Sequence, residues 1–390
     1  MKIGILTLPL SSNYGGILQC YALQTVLERM GHEVVVLDRT FAAPSAGLIL
    51  RRCGSVLKCL VRRYILGQKN IAILSPWSQT YVIDKREQDD CSVLLKFIHK
   101  YLNITSPLRS SEALLKRVKR QKLDCLIVGS DQVWRECYSP FLIDCFAGFF
   151  PADDKMLKIT YGASFGTSEN PISEQMLETC KRLSSRFDAI SVREESAVGL
   201  VEKYFGKHAE LVLDPTLLLS ADDYVIERTE TSYPVTAGQD TLVSYVLDTD
   251  GKKARIANDV AGELGLKESF MGLSPKKSDG SPDKMIPVQF WLDNFRNASF
   301  VVTDSFHGCV FSIINRKPFI AIVNHSRGAD RFVSMLSQLG LEGRMVNDYE
   351  EFNARRSELM APIDYSEVCS KLQELKTRSL GYLNGMLERK

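Results

Sequence analysis

Short apolar runs that stop at Gly, Ser or Asp and pass at once into helix-like stretches recur along the whole chain, and this alternation restricts its fold more than any other feature. Residues 3–8 read as a buried strand, and 16–30 carry Cys20, Leu23, Leu27 and Met30 at helical spacing before Gly31. "HEVVVLD" then gives a second buried strand, ending at Asp38. A strand, helix, strand opening implies a parallel sheet, because parallel neighbours need a crossover long enough to hold a helix. "LDCLIVGSDQVW" and "KITYGASFG" repeat the pattern, whereas residues 41–122 are less regular apart from a helix candidate near 91–102. A second series runs from "FDAISVREESAVGLVEKYF" through "TLVSYVLD", "KKARIANDVAGELG" and "KESFMG". After a Gly/Pro/Ser/Lys-rich loop at 272–286 it continues with "VQFWLDNFRNA" and "SFVVTDSFHGCVFSIINRKPFIAIVN". The pattern predicts an α/β protein of two doubly wound domains facing a cleft, at 1–185 and 186–365, followed by a C-terminal helix at 366–390. Open parallel sheets bind ligands beyond the carboxyl ends of their strands, where each of these Gly/Ser/Asp loops would lie.

A chain of 390 residues is long enough for two such domains, each with its own core. Hydrophobic content of 45% with 25% charged residues argues against long disorder. A formal net charge of +2 gives no global attraction for a polyanion, so nucleic acid is not expected as a partner. The ten cysteines have no CxxC pairs or regular spacing, and Cys125 and Cys309 sit inside apolar runs, as reduced cysteines do. The opening "MKIGILTLPLSSN" meets Pro9 and polar residues too soon for a signal peptide. A cytoplasmic protein, soluble or peripheral to a membrane, is the expectation. No His/Cys/Asp cluster has metal-ligand spacing, so neither a metal nor another cofactor is expected.

Six stretches could carry chemistry. "SSNYGG" lacks both GxGxxG and the Lys-Ser/Thr pair of a phosphate loop, so neither standard nucleotide motif applies. Gly15 and Gly16 either let the chain turn or present backbone N–H groups to an anion at the positive end of the next helix, with Asn13 and Tyr14 able to hydrogen-bond beside them. In "VGSDQVWR", Ser130, Asp131 and Trp134 follow a buried strand. A carboxylate and an indole suit a sugar there, or Trp134 fills a core and Asp131 caps a turn. Ser164 occupies the corresponding loop of "YGASFG". Arg193 ends a strand, where its guanidinium fits phosphate or carboxylate, or pairs with Glu194 or another acid. "VVTDSFHG" delivers Asp304, Ser305, His307 and Gly308 to a strand-to-helix turn, a geometry that favours an anion. Residues so close on one turn do not form a Ser-His-Asp triad. "NHSRGADRF" adds Arg327 and Arg331, which line the same cleft or bridge to acids on their own helix.

Together "NYGGILQCYALQ", "VGSDQVW", "YGASFG", "SVREESA", "LVLDPT" and "VTDSFHG" with its following "INRKPFIAI" resemble, in order, the polysaccharide pyruvyl transferase family. The resemblance covers roughly residues 1 to 345. It implies a GT-B-like fold of two Rossmann-like domains and an enzyme that takes pyruvate from phosphoenolpyruvate, its co-substrate, to form a ketal on a sugar. The acceptor would be a bacterial capsule, exopolysaccharide or cell-wall polymer, or its lipid-linked precursor. By resemblance His307 matches the catalytic histidine and Arg193 the donor-binding arginine. Several members carry a second arginine two positions before that histidine, where this chain has Ser305, and Arg327 or Arg331 is the expected substitute. Asp304 would orient the imidazole or cap the following helix.

Ketal formation needs proton transfer and cations for a carboxylate and a phosphate, which His307, Arg193 and the turn at 305–308 would supply. A nucleotide-sugar glycosyltransferase of the same architecture and a catalytically silent carbohydrate-binding protein are the alternatives. A basic segment at 51–69, with Arg51, Arg52, Lys58, Arg62, Arg63 and Lys69 among Leu, Val, Ile and Tyr, is either a solvated helix face or a peripheral membrane contact.

Overall fold

A computed structural model describes residues 1–41, 46–67, 85–227, 237–248, 251–271, 285–324 and 328–388. Its first sheet joins β1 (Lys2–Leu6), β2 (Glu33–Val36), β3 (Cys125–Val128) and β4 (Leu157–Thr160) in the order β2-β1-β3-β4, all parallel. Ile3 lies between Val34 and Cys125, and apart from Lys2 and Glu33 at strand starts and Lys158 and Thr160 in β4 these strands are buried and lack polar side chains, as in sheets covered by helices on both faces. Two short strands, β5 (Ser191–Val192) and β6 (Glu210–Leu211), pair with each other and reach β4 through bridges at Ile159–Ala189 and Ala163–Val192. This small sheet therefore lies beside the end of the first one, linked to it by isolated bridges. Strands of two residues carry no periodic signal, and alternation along a chain does not say which sheet a strand joins.

The second sheet joins β7 (Thr241–Tyr245), β8 (Lys267–Phe270), β9 (Phe300–Thr303), β10 (Phe319–Ile322) and β11 (Met345–Val346) in the order β11-β10-β9-β7-β8. It too is parallel.

Strand order reverses between β1 and β3 in one sheet and between β7 and β9 in the other. The loops after these four strands therefore open at the two switch points, the crevice where doubly wound sheets take ligands. The halves share one apolar core. The helix Tyr14–Arg29 buries Ile17, Leu18, Leu23 and Leu27 in a cluster that also holds Trp291 and Phe311 of the second half. Tyr14 stacks on Trp291 with ring centroids 5.3 Å apart, and its hydroxyl donates to the Ile286 carbonyl (2.8 Å) and accepts from the Ile286 N–H (3.0 Å).

A helix over Tyr365–Leu387, capped by Asp364 through the Ser366 N–H, fastens the two halves. Near its start the Tyr365 hydroxyl donates to the Lys317 carbonyl (2.6 Å), and near its end Tyr382 donates to the Thr160 carbonyl at the tip of β4 (2.9 Å). Between them Ser379 accepts from the Leu213 N–H (2.9 Å), while Leu383 and Leu387 enter the shared core. Leu383→Ala is expected to lower stability by about 2–5 kcal/mol through lost burial and a cavity, read by urea denaturation. A loss within experimental error would show that this helix does not hold the halves together.

Candidate functional site

A cleft of about 570 Å³ opens between the sheets. The loop after β1 forms one wall from Thr7 to Tyr14, the loop after β3 contributes Asp131 and Gln132, and the turn after β9 contributes Asp304 to His307. Arg331 enters from the helix Ala329–Leu339. Gln19 ties the first two loops together. Its amide donates to Thr7 Oγ1 (3.1 Å) and the Gly16 carbonyl (2.8 Å) and accepts from the Ser130 N–H (3.0 Å).

Two helices from opposite halves begin at this cleft. The helix Tyr14–Arg29 starts from Asn13, whose extended backbone lets it serve as N-cap, yet its side chain closes no hydrogen bond there. The helix Phe306–Ile314 starts from Ser305, whose Oγ accepts from the Gly308 N–H (3.4 Å). They meet at one contact: a Cβ added to Gly15 would sit 1.9 Å from His307 Nδ1. Only glycine at position 15 leaves room for the imidazole, and two positive helix ends flank it.

His307 is 6% exposed, and its Nε2 has no hydrogen-bond partner among the described residues. The nearest carboxylate to that atom is Asp214, with Oδ2 at 3.8 Å. Burial pushes His307 down to about 4, Asp214 opposes this, and Arg193 adds to it, so the ring is neutral at pH 7. Behind the histidine Arg193 donates to Asp214 Oδ2 (2.5 Å) and Asp131 Oδ1 (2.9 Å), with Glu194 Oε2 3.9 Å from its Nε. Burial is the largest influence and would raise both aspartates, but the Arg193 charge together with the other nearby cationic groups and hydrogen bonds outweighs it and holds them below the ordinary carboxylate range. Glu194 is pushed up by burial, although its Oε1 accepts from the Phe165 and Gly166 N–H groups. Arg331 Nη1 stands 3.8 Å from Asp131, and burial, with the like charge of Arg193, brings it down to about 10. Both arginines lie over the Phe306 ring, at 5.0 and 5.3 Å from its centroid.

The structure brings Asn13, Tyr14, Gly16, Asp131, Ser305, His307 and Arg331 to the cleft wall, with Gly15 pressed against the imidazole. Other expected residues take different places. Trp134 is a core residue, fully buried, stacked on Phe146 at 5.0 Å and donating to the Cys145 carbonyl (3.3 Å). Its indole joins the aromatic cluster under β3 because Phe146, Phe165 and Phe205 offer more apolar surface than the cleft does. Asp304 lines the cleft but does not orient His307. Its carboxylate accepts from Leu247 N–H (2.6 Å), Asp248 N–H (3.2 Å), Lys253 Nζ (2.9 Å) and Asn324 Nδ2 (3.1 Å), fixing the loop after β7. The cap of the following helix is Ser305. Gly308 packs away from the cleft wall against Thr303, whose Oγ1 would lie 2.1 Å from any Cβ at that position. Ser130 and Ser164 are fully buried behind the wall, Ser130 donating to the Gly162 carbonyl (3.1 Å). Arg193 is bonded to the buried Asp131 and Asp214 rather than open to solvent. Arg327 lies outside the described residues. Asp214, the acid that faces His307, stands in "LVLDPT", a stretch singled out by the family resemblance and not for its acid.

The family model for polysaccharide pyruvyl transferases matches residues 13–326. No curated protein matches the chain at a significant level. Among solved structures, a Listeria monocytogenes protein assigned as a UDP-N-acetylglucosamine 2-epimerase is 10% identical with a TM-score of 0.54, over 100% of this chain and 98% of that one. The UDP-N-acetylglucosamine 2-epimerase from Rickettsia bellii is 10% identical with a TM-score of 0.51, over 100% and 96%. The spinosyn rhamnosyltransferase SpnG is 11% identical with a TM-score of 0.47, over 99% of each chain. Likeness at such identities concerns the fold, which is GT-B-like as expected, and leaves chemistry to the site. The family match takes in the loop after β1 from Asn13 onward, the loop after β3, Arg193, Asp214 and His307 in one continuous span, and the chain belongs to the polysaccharide pyruvyl transferase family.

Proposed function

We propose that this protein transfers the pyruvyl unit of phosphoenolpyruvate to two hydroxyls of a sugar, closing a ketal and releasing phosphate. The observation that carries this is His307 Nε2, buried and without a hydrogen-bond partner among the described residues, between two helix N-termini and beside Arg331. Such a place suits a small dianion next to a group that moves protons. The sugar acceptor would lie along Asn13 and Tyr14 and belong to a surface polysaccharide or its lipid-linked precursor. A nucleotide-sugar donor has only the likeness of fold in its favour.

In the reaction the methylene carbon of the donor gains a proton and becomes a methyl group, and the neighbouring carbon takes the first hydroxyl oxygen. Loss of phosphate then lets the second hydroxyl oxygen close the ring. One hydroxyl proton ends on the methyl group and the other leaves with phosphate. A neutral His307 can accept the first, and the negative charge of a bound donor raises its affinity for protons. Arg331 and the uncapped N–H groups would hold the donor's charges. Arg193 would act one layer back, keeping Asp131 and Asp214 ionised and in place, where Asp214 stabilises the imidazolium.

His307→Ala is expected to lower phosphate release from phosphoenolpyruvate and acceptor by at least about 100-fold, with the fold intact by circular dichroism. Wild-type turnover by the folded variant would sink the assignment. Arg331→Ala should weaken phosphoenolpyruvate binding in calorimetry. Arg193→Ala should first cost stability, about 3–5 kcal/mol, because it strands buried carboxylates. Unchanged donor affinity in Arg331→Ala would remove that residue from the donor site.

The imidazole also predicts a pH dependence. Unfolded, His307 binds a proton near 6.5, and folded near 4, so its contribution to stability is complete above 6.5 and is lost as pH falls toward 4. Between pH 7.5 and 5 this amounts to about 2 kcal/mol, which His307→Gln should spare in urea denaturation. Equal losses in the variant and the wild type would contradict it.

A further inference from the structure

The segment that follows β2 is not needed to complete the first sheet. The crossover from β2 to β3 has its packing helix in Lys85–Tyr101, which places Leu94, Phe97 and Ile98 in the core. Ahead of it stand a helix over Ala46–Leu60 and a π-helical turn over Val61–Ile65, and none of their described side chains belongs to any core cluster. A helix on the surface of a soluble protein buries its apolar stripe and exposes its charges. Here the apolar stripe is what faces solvent. Leu50, Leu57, Tyr64 and Ile65 are 77%, 67%, 72% and 74% exposed, and Leu60, Val61 and Leu66 are exposed as well. Leu50, Leu57, Val61 and Tyr64 follow one another at helical spacing, so they form a continuous ridge rather than scattered residues.

Charge points to what covers that ridge. No Asp or Glu occurs between Asp38 and Asp84, while the helical stretch contains Arg51, Arg52, Lys58, Arg62 and Arg63. Lys58 and Arg62 are exposed alongside the ridge. A second copy of this chain would bring the same positive charge to the contact and repel it. A surface of phospholipid phosphates would neutralise it, and the acyl boundary would take up the leucines and the tyrosine. We propose that the segment 46–65 docks this protein on an anionic lipid bilayer, with its apolar ridge entering the interface and its basic residues meeting lipid phosphates. No helix among the described residues is long and apolar enough to cross a membrane, so the contact is an interfacial one. It holds whichever donor the cleft takes.

The test is co-sedimentation of the full chain with vesicles of equal parts phosphatidylglycerol and phosphatidylcholine, and with vesicles of phosphatidylcholine alone. Binding to the mixed vesicles only, weakened by added salt, is expected. The Leu57→Glu, Tyr64→Glu double variant should abolish it, and Lys58→Gln, Arg62→Gln should weaken it about tenfold or more. All four positions are exposed and outside the cleft, so turnover of a soluble acceptor should be unchanged, which separates this result from the fate of the transfer reaction. Absence of binding to the mixed vesicles, or binding indifferent to both double variants, would overturn the proposal. So would sedimentation velocity showing that Leu57→Glu, Tyr64→Glu turns a dimer into a monomer, since the ridge would then be a protein interface.

Discussion

Arg193 and its carboxylates form the interaction on which the rest of the site depends. Its guanidinium is shut away from water and bonded to Asp131 and Asp214, which come from the loop after β3 and the segment after β6. A buried charge left alone is very costly, whereas a balanced set with good hydrogen bonds is tolerable and fixes geometry. Three separate stretches of chain are thereby held in one arrangement. Asp214 is fixed at its other oxygen by the Thr216 N–H and hydroxyl, which leaves it rigidly aimed at His307. The histidine remains neutral, its Nε2 without a hydrogen-bond partner among the described residues, because burial disfavours the imidazolium more than the charge of Asp214 favours it.

The two halves contribute different things to this centre. The first half supplies Gly15 and the wall of the cleft through the loops after β1 and β3, locked together by Gln19. The second half supplies His307 on a helix whose first turn is anchored by Ser305. Neither half has a complete site, and the contact between Gly15 and the imidazole requires them to be docked as they are. The Tyr14 and Trp291 stack and the helix Tyr365–Leu387 provide that docking through apolar burial, which is non-directional and strong, while hydrogen bonds at Ile286 and Thr160 set the register.

Much of this is legible in the residues. Short apolar runs ending in Gly, Ser and Asp mark β1, β2, β3, β4, β7 and β9 and the loops that end at the cleft, because a buried parallel strand must be apolar and its exit must turn. His307 stands out by its place at such a turn. Asp304 departs from expectation, and Trp134 takes the core of its two alternatives, for a reason that local spacing does not contain: whether a strand-end side chain turns toward the cleft or the core depends on which partners wait on each side. For Trp134 those partners are phenylalanines from three distant segments. For Asp304 they are the N–H groups of Leu247 and Asp248, Lys253 and Asn324.

The sequence by itself determined the fold class, the parallel sheets and the loops that carry chemistry, since periodicity and turn residues act over a few neighbours. Only the tertiary structure decided that Asp214 faces His307, that Arg193 stands behind the site rather than within it, and that Gly15 is the residue giving the imidazole its space. It also decided that the apolar ridge of residues 50–65 joins no core cluster among the described residues. Each of these turns on contacts between residues far apart in the chain, and long-range pairing of buried charge and shape is not written in local spacing.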